Sequence, residues 1–242
     1  MARLRAIESE DCALDSQVDD AVGSAWSVGD DQMEVAGEVS DSESAYEIRA
    51  LSTETWDAFA ELVERHNGGR FGGCWCTWFH RPTHSAPVAG QEQSAERTRA
   101  FKRDLVETGR AHAALVFDGE KAVGWAQYGS PDELPGIAHR KEVEAEGSSF
   151  PDWRITCVFV DRLYRRRGVA RIAVEGALDL IPTTGGGTVE SYPQDTSGKK
   201  VSASFLYNAT RTTFEQAGSS YQRPKGKNHC IVRTSVAARV EQ

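Results

Sequence analysis

The stretch richest in chemistry is Val160-Asp161-Arg162-Leu163-Tyr164-Arg165-Arg166-Arg167-Gly168-Val169-Ala170-Arg171. It joins a hydrophobic segment to an amphipathic one through a basic loop. A helix that starts at the end of such a loop has several backbone N–H groups without intrahelical acceptors. Together with the positive end of the helix dipole they favour an anion. Gly168 admits backbone angles that other residues avoid, and lets an anion come close. Ala170 is small enough for the helix to lie against the preceding strand, and Arg165, Arg166 and Arg167 add donors suited to phosphate. The chemistry predicted is a pyrophosphate cradle; the competing reading is an ordinary strand-to-helix turn with a solvated basic cluster. Neither the Walker A pattern nor the Gly-x-Gly-x-x-Gly fingerprint occurs in the chain.

A second constellation is Gly73-Cys74-Trp75-Cys76-Thr77-Trp78-Phe79-His80, with His84 beyond it. Zinc takes Cys and His in fours. Here the Cys-x-Cys spacing is tight and its flanks are aromatic, so no metal site is assigned. Trp75, Cys76, Trp78 and Phe79 read either as one wall of a substrate pocket or as ordinary aromatic core. An acyl-cysteine at Cys74 or Cys76 would need a depressed thiol pKa, and the sequence offers no source for one.

The elements that must position these residues follow from periodicity. Residues 46–51 alternate like a half-buried strand. Ser52 or Thr53 can cap a helix with Trp56, Phe59, Leu62 and Val63 on one face. A second helical pattern covers residues 92–107, with Phe101, Leu105 and Val106 inward. Residues 112–117 and 122–128 read as a hairpin, 130–149 as a loop or irregular helix, and 153–160 as a strand. A helix over 169–181 presents Val169, Ile172, Ala173, Ala177 and Leu180 as one stripe. A strand over 188–192, a helix over 202–217 and strand material at Tyr221 and 229–234 complete the order. Hairpins combined with one strand–helix–strand crossover predict a single mixed α/β (α+β) sheet.

Residues 1–44 hold twelve acidic and two basic residues, a local charge of −10 against −8 for the whole chain. They form an acidic tail with little apolar surface to offset the entropy of ordering; a start at Met33 is the alternative reading. The body, at +2 by difference, carries no basic face of the kind that binds nucleic acid. No apolar run approaches membrane-spanning length and no secretory signal is present, so the expected location is cytoplasmic. Five cysteines, Cys12, Cys74, Cys76, Cys157 and Cys230, are odd in number and irregular in spacing. They fit reduced thiols better than a disulfide framework.

The basic loop resembles the coenzyme A loop of the GNAT N-acetyltransferase superfamily, Arg/Gln-x-x-Gly-x-Gly/Ala. Arg165, Gly168 and Ala170 stand at its three defined positions. The resemblance extends over residues 45–236, between the acidic tail and a short tail at 237–242. It is further similar to a bacterial subgroup with a Cys-Trp-Cys segment. It implies a mostly antiparallel twisted sheet, splayed between its fourth and fifth strands, with helices on both faces. It implies that the amides of Arg166, Arg167, Gly168, Val169 and Ala170 hold a pyrophosphate, and that residues 158–160, Val158 and Val160 among them, pair with pantetheine. The Val160 amide would polarise a thioester carbonyl. Asn208 would touch coenzyme A, and Arg171 or Lys199 and Lys200 would meet its 3′-phosphate. The implied reaction is acetyl transfer from acetyl-CoA to a primary amine of a small molecule or protein, in a chain that could be a homodimer.

Two departures stand against this pattern. Members of the family often carry an acid Tyr where this chain has Phe214, which leaves Tyr207 as substitute acid or as a packed helix aromatic. Members often have a Glu early in the fourth strand, where Arg154 stands here. Glu190 is then the candidate base, through a water, or else a solvated strand-end carboxylate. A non-catalytic acyl-CoA-binding domain and a zinc-stabilised interaction module are the rival readings.

Overall fold

The computed structural model describes residues 46–67, 75–81, 94–137, 150–196, 201 and 206–239. The acidic tail, Cys74, His84, Lys199, Lys200 and most of the 130–149 loop fall outside them. Seven strands form one sheet in the order β1-β2-β3-β4-β5-β7-β6. They are β1 Glu47–Ala50, β2 His112–Asp118, β3 Lys121–Gly129, β4 Trp153–Val160, β5 Gly187–Ser191, β6 Ser220–Lys225 and β7 His229–Val236. Every pairing is antiparallel except β4 with β5. The helices are α1 Trp56–Asn67, α2 Ala95–Glu107, α3 Val169–Leu180 and α4 Arg211–Gln216.

The helices divide between the two faces of the sheet, and the strands alternate to match. On one face Trp56, Phe59, Leu62 and Val63 of α1 and Leu105 and Val106 of α2 pack with Trp125 and Cys157. On the other, Val169, Ala173, Val174 and Ala177 of α3 and Phe214 of α4 pack with Val158 and Val232. Cys157 and Val158 are consecutive and serve opposite cores, as the pleat requires. The α3 stripe is rotated from its sequence expectation: Val174 and Gly176 are buried, while Ile172 and Leu180 are only half-buried. Gly176 faces β1 so closely that a Cβ there would lie 2.9 Å from Ile48 side-chain atoms.

The parallel pairing is short. Trp153, Arg154 and Ile155 face Val189, Glu190 and Ser191, and the ladder stops there. β4 continues to Val160, but β5 gives way to Pro193, which has no N–H to offer. The Pro193 carbonyl instead accepts from Cys230 N at 3.1 Å, and Gln194 N donates to Ala209 O. The two strands therefore diverge beyond Ile155, and the splay lies between them.

The expected helix over 202–217 is much shorter. Residues 202–205 lie outside the described residues, 207–208 form a turn, and helix begins only at Arg211. Ala209 has φ +55°, which a helix cannot contain. Thr210 then caps α4, its side chain accepting from Thr213 N at 3.3 Å. Tyr207 is thus on a turn, not on an amphipathic helix.

Candidate active site

The basic loop forms where β4 hands over to α3. Asp161, fully buried, begins it: its Oδ1 accepts from Leu163 N at 3.0 Å, and its backbone N–H donates to Val123 O at 2.8 Å. Its Oδ2 lies 2.9 Å from His66 Nε2 and 3.4 Å from Arg65 Nε at the end of α1. Burial works to raise the Asp161 pKa, but the Leu163 amide, His66 and Arg65 hold it below the ordinary value. An anionic Asp161 thus ties the loop to α1.

Arg166 (φ +63°) and Gly168 (φ +79°) are both left-handed. A left-handed residue with a side chain is uncommon and marks a constrained turn; alternating hands of backbone turn successive N–H groups to one side. The first intrahelical bonds run from Arg171 and Ile172 to Gly168 O. The amides of Arg167, Gly168, Val169 and Ala170 precede them and have no intrahelical acceptor. Among the described residues, a Cβ on Gly168 would meet nothing within 4 Å, so they leave the space beside this helix start open. Arg165, Arg166 and Arg167 are exposed around it. Arg167 lies over the Tyr164 ring at 5.5 Å, and Arg171 is 3.7 Å from Glu175. Val169 is buried and Ala170 half-buried against the sheet. The turn and helix start expected at Arg165–Ala170 are present, with Gly168 left-handed at the N-cap of α3.

The splay joins it. Val158 N donates to Tyr207 O at 2.8 Å, while Asp161 N turns the other way, to β3. Backbone alternation puts the Val160 N–H on the Val158 side, toward the splay. The Val158 amide, expected to pair with pantetheine, is already taken by Tyr207. Val160 is the amide that the strand presents beyond that contact.

Tyr207 is 44% exposed. Its ring lies 6.3 Å from Phe79 and 6.2 Å from His229. Burial, and then the nearby Cys157, raise its pKa, so the phenol keeps its proton at neutral pH. Asn208 is buried beside it. Its amide nitrogen donates to Tyr192 O at 3.2 Å, and Oδ1 has no hydrogen-bond partner among the described residues.

Glu190 is not a solvated strand-end carboxylate. It is fully buried, directly opposite Arg233 in the β5–β7 ladder. Arg233 holds its Oε2 at 2.6 Å, and the Tyr192 hydroxyl donates to Oε1 at 2.6 Å. Glu190 sits at the closed end of the splay and Tyr207 at its open end; the structure does not bring them together.

The aromatic segment also divides. Trp75 stacks on Trp56 at 5.7 Å inside the α1–α2 core, so it is core and not pocket wall. Cys76 is buried with its sulfur 2.9 Å from Cys157 Sγ. Phe79 is buried but borders Tyr207, and Trp78, 48% exposed, meets Phe79 edge-on at 4.9 Å. Of the four residues, Phe79 borders Tyr207, and Trp78 packs on Phe79. His80 does not turn toward Cys76. Its Nδ1 lies 3.0 Å from Glu133 O, so Nδ1 carries the proton, and Nε2 accepts from buried Lys102 at 3.2 Å. Burial and the Lys102 charge push the His80 pKa down to about 3. Lys102 donates in turn to Gln127 at 2.7 Å, whose amide donates to Thr156 of β4 at 3.2 Å. Among the described residues no group of three His, Cys, Asp or Glu side chains is placed to hold a metal.

Asp161, His66, Tyr192, Arg233 and the Lys102–Gln127 relay were not singled out from sequence. The one available signal was a charged or amide side chain amid strand apolars, as at Arg154, Glu190 and Gln127. Pairing Glu190 with Arg233 needed the strand register.

Residues 73–196 match the model of the acetyltransferase (GNAT) family, and the chain belongs to that family. No curated protein matches it. Among solved structures it is similar to a GNAT-family acetyltransferase from Desulfovibrio desulfuricans, with 17% identity and TM-score 0.45, covering 80% of this chain and 100% of that one. The ribosomal-protein-S18-alanine N-acetyltransferase from Escherichia coli shows 14% identity and TM-score 0.40, covering 81% and 97%. A PaiA N-acetyltransferase from Thermoplasma acidophilum, in complex with coenzyme A, shows 13% and 0.39, covering 79% and 99%.

Proposed function

We propose that this chain transfers an acetyl group from acetyl-CoA to a primary amine of a small molecule or protein. The observation that carries the reading is the open helix start at Gly168, continuous with the splay of β4. The donor would supply an acetyl group activated as a thioester. The amides of Arg167, Gly168, Val169 and Ala170 would hold its pyrophosphate, with Arg165, Arg166 and Arg171 offering charge to its phosphates. The orphaned Asn208 Oδ1 could accept a hydrogen bond from the pantetheine arm. The Val160 N–H would donate to the thioester carbonyl oxygen, where negative charge grows as the amine attacks.

Two proton movements remain. Tyr207, protonated at neutral pH, is the proposed acid toward the departing thiolate. It takes the part that Phe214, buried in the α3 core, cannot play. Glu190 is the proposed destination of the amine proton. Both its oxygens are engaged, so a proton reaches it through the Tyr192 hydroxyl and not directly. Trp78 and Phe79 would border the acceptor. Positioning supplies much of the rate in a reaction of this kind.

The ion-paired state of Glu190 favours one second reading, a domain that binds acyl-CoA without turning it over. A panel of small amines and peptides, incubated with acetyl-CoA and followed by release of the free coenzyme A thiol, separates the two. Amine-dependent thiol release that Tyr207→Phe slows at least tenfold supports catalysis. Thiol release no faster than the buffer blank across the panel would leave the binding reading.

A further inference from the structure

Among the described residues, Cys76 and Cys157 are a nucleophilic pair that the proposed acetyl transfer does not use. They come from distant parts of the chain, 81 residues apart, and both are buried as free thiols. Their sulfurs are 2.9 Å apart. Closing to the bonded distance of about 2.05 Å needs less than about 1 Å of movement, within reach of small side-chain torsions. The backbone aims one of them. Trp75 (φ +49°) and Cys76 (φ +53°) are consecutive left-handed residues with side chains, an uncommon arrangement. The turn they make brings the Cys76 thiol onto β4. Cys157 is fixed by the strand ladder opposite Gln127.

We infer that Cys76 and Cys157 form a reversible thiol–disulfide site that fastens residues 75–81 to β4. The co-reactant is a low-molecular-weight disulfide. One cysteine thiolate attacks it, forming a mixed disulfide and releasing one thiol. The second cysteine thiolate attacks the protein-side sulfur, forming the Cys76–Cys157 bond and releasing a second thiol. The two protein thiols are oxidised, the small disulfide is reduced, and the cysteine protons end on the two released thiols or in solvent. Because Cys157 precedes Val158, the bond lies beside the splay. Oxidation fixes, and reduction frees, the segment that carries Trp78 and Phe79 past Tyr207.

The neighbouring Cys157 thiol and burial hold Cys76 well above the ordinary thiol pKa, so brief exposure of the folded protein to an oxidant is a poor test. Refolding the full reduced chain in a glutathione redox buffer removes that barrier. Free thiols are then alkylated, and the protein is digested without reductant and mapped by mass spectrometry. The expected result is a dominant linkage between the Cys76 and Cys157 peptides, lost on treatment with dithiothreitol. A Tm gain of about 5 °C or more over the reduced protein is expected, because the link closes a long loop. Cys157→Val, a near-isosteric core substitution, should show neither the linkage nor the gain. Recovery of both residues as alkylated thiols in a natively folded protein would overturn the inference. So would linkage of Cys76 predominantly to Cys12, Cys74 or Cys230.

Discussion

A buried carboxylate with both oxygens engaged behaves differently from a solvated one, and Glu190 shows the consequence. Arg233→Met would leave the Glu190 charge buried without its cation, which should cost about 3–5 kcal/mol, read as a shift in urea midpoint. Tyr192→Phe removes the hydroxyl that donates to Glu190 Oε1. It should lower kcat at least tenfold while changing acetyl-CoA affinity less than twofold; an unchanged kcat would remove Glu190 from the proton path. His80 makes a separate prediction. Its neutral form is built into the fold, with a pKa of about 3 against a reference of 6.5. Its folded pKa is depressed and its charged form disfavoured, so the unfolded chain binds the proton first as pH falls. Its contribution is intact above pH 6.5 and shrinks as pH falls toward 3. By pH 4.5 the loss should be about 2–3 kcal/mol relative to pH 7. His80→Gln should lack that part of the pH dependence in urea titrations at the two pH values. A slope shared by both proteins would contradict the assignment.

At the level of elements, the site exists because β5 stops pairing with β4 at Ser191 and because α3 starts where the backbone is left-handed. Strong periodicity made much of this legible in advance. β4 runs over Trp153–Val160, as its β-branched and aromatic residues indicate, and α3 begins at Val169 immediately after its glycine. The shorter α4 was not legible. Nothing in residues 206–210 breaks a helix by type, but the left-handed Ala209, whose carbonyl accepts from Gln194 N, and the Thr210 cap decide the boundary. Tertiary contact overrode local preference there. The inward direction of Trp75 and Cys76 was likewise hidden, because it depends on two left-handed residues that are not glycine. The packing of α3 on β1 offers its own test. Gly176→Leu forces a side chain into Ile48 and should cost about 1–3 kcal/mol by overpacking. A melting temperature unchanged from wild type would mean that α3 does not press on β1 as described.

For the whole molecule, charge and membership set the frame. The acidity is concentrated in residues 1–44, and none of the helices among the described residues is long and apolar enough to cross a membrane. We propose that residues 45–236 make up the acetyltransferase domain, of which the family match covers 73–196. Deleting residues 1–44 should then leave Tm within about 2 °C of the full chain; loss of cooperative melting would make the tail part of the fold. In the sequence the resemblance rested on a short pattern, Arg165, Gly168 and Ala170, of which the left-handed Gly168 at the start of α3 has a plain backbone reason. The contact between Phe79 and Tyr207 left no comparable trace, because the fold brings these two rings together from distant segments and no local pattern encodes that meeting.

The central claim is that the helix start at Gly168 is a pyrophosphate site. Titrating acetyl-CoA into wild type and Gly168→Asp by calorimetry, side by side, tests it most directly. The new side chain has open space, and Asp tolerates left-handed backbone better than most residues, so folding should survive, as circular dichroism would verify. Its charge would stand where the phosphates belong. Saturable binding by wild type and at least a hundredfold weaker binding by a folded Gly168→Asp is the predicted result. Equal affinity in the two folded proteins, or no binding by wild type, would contradict it.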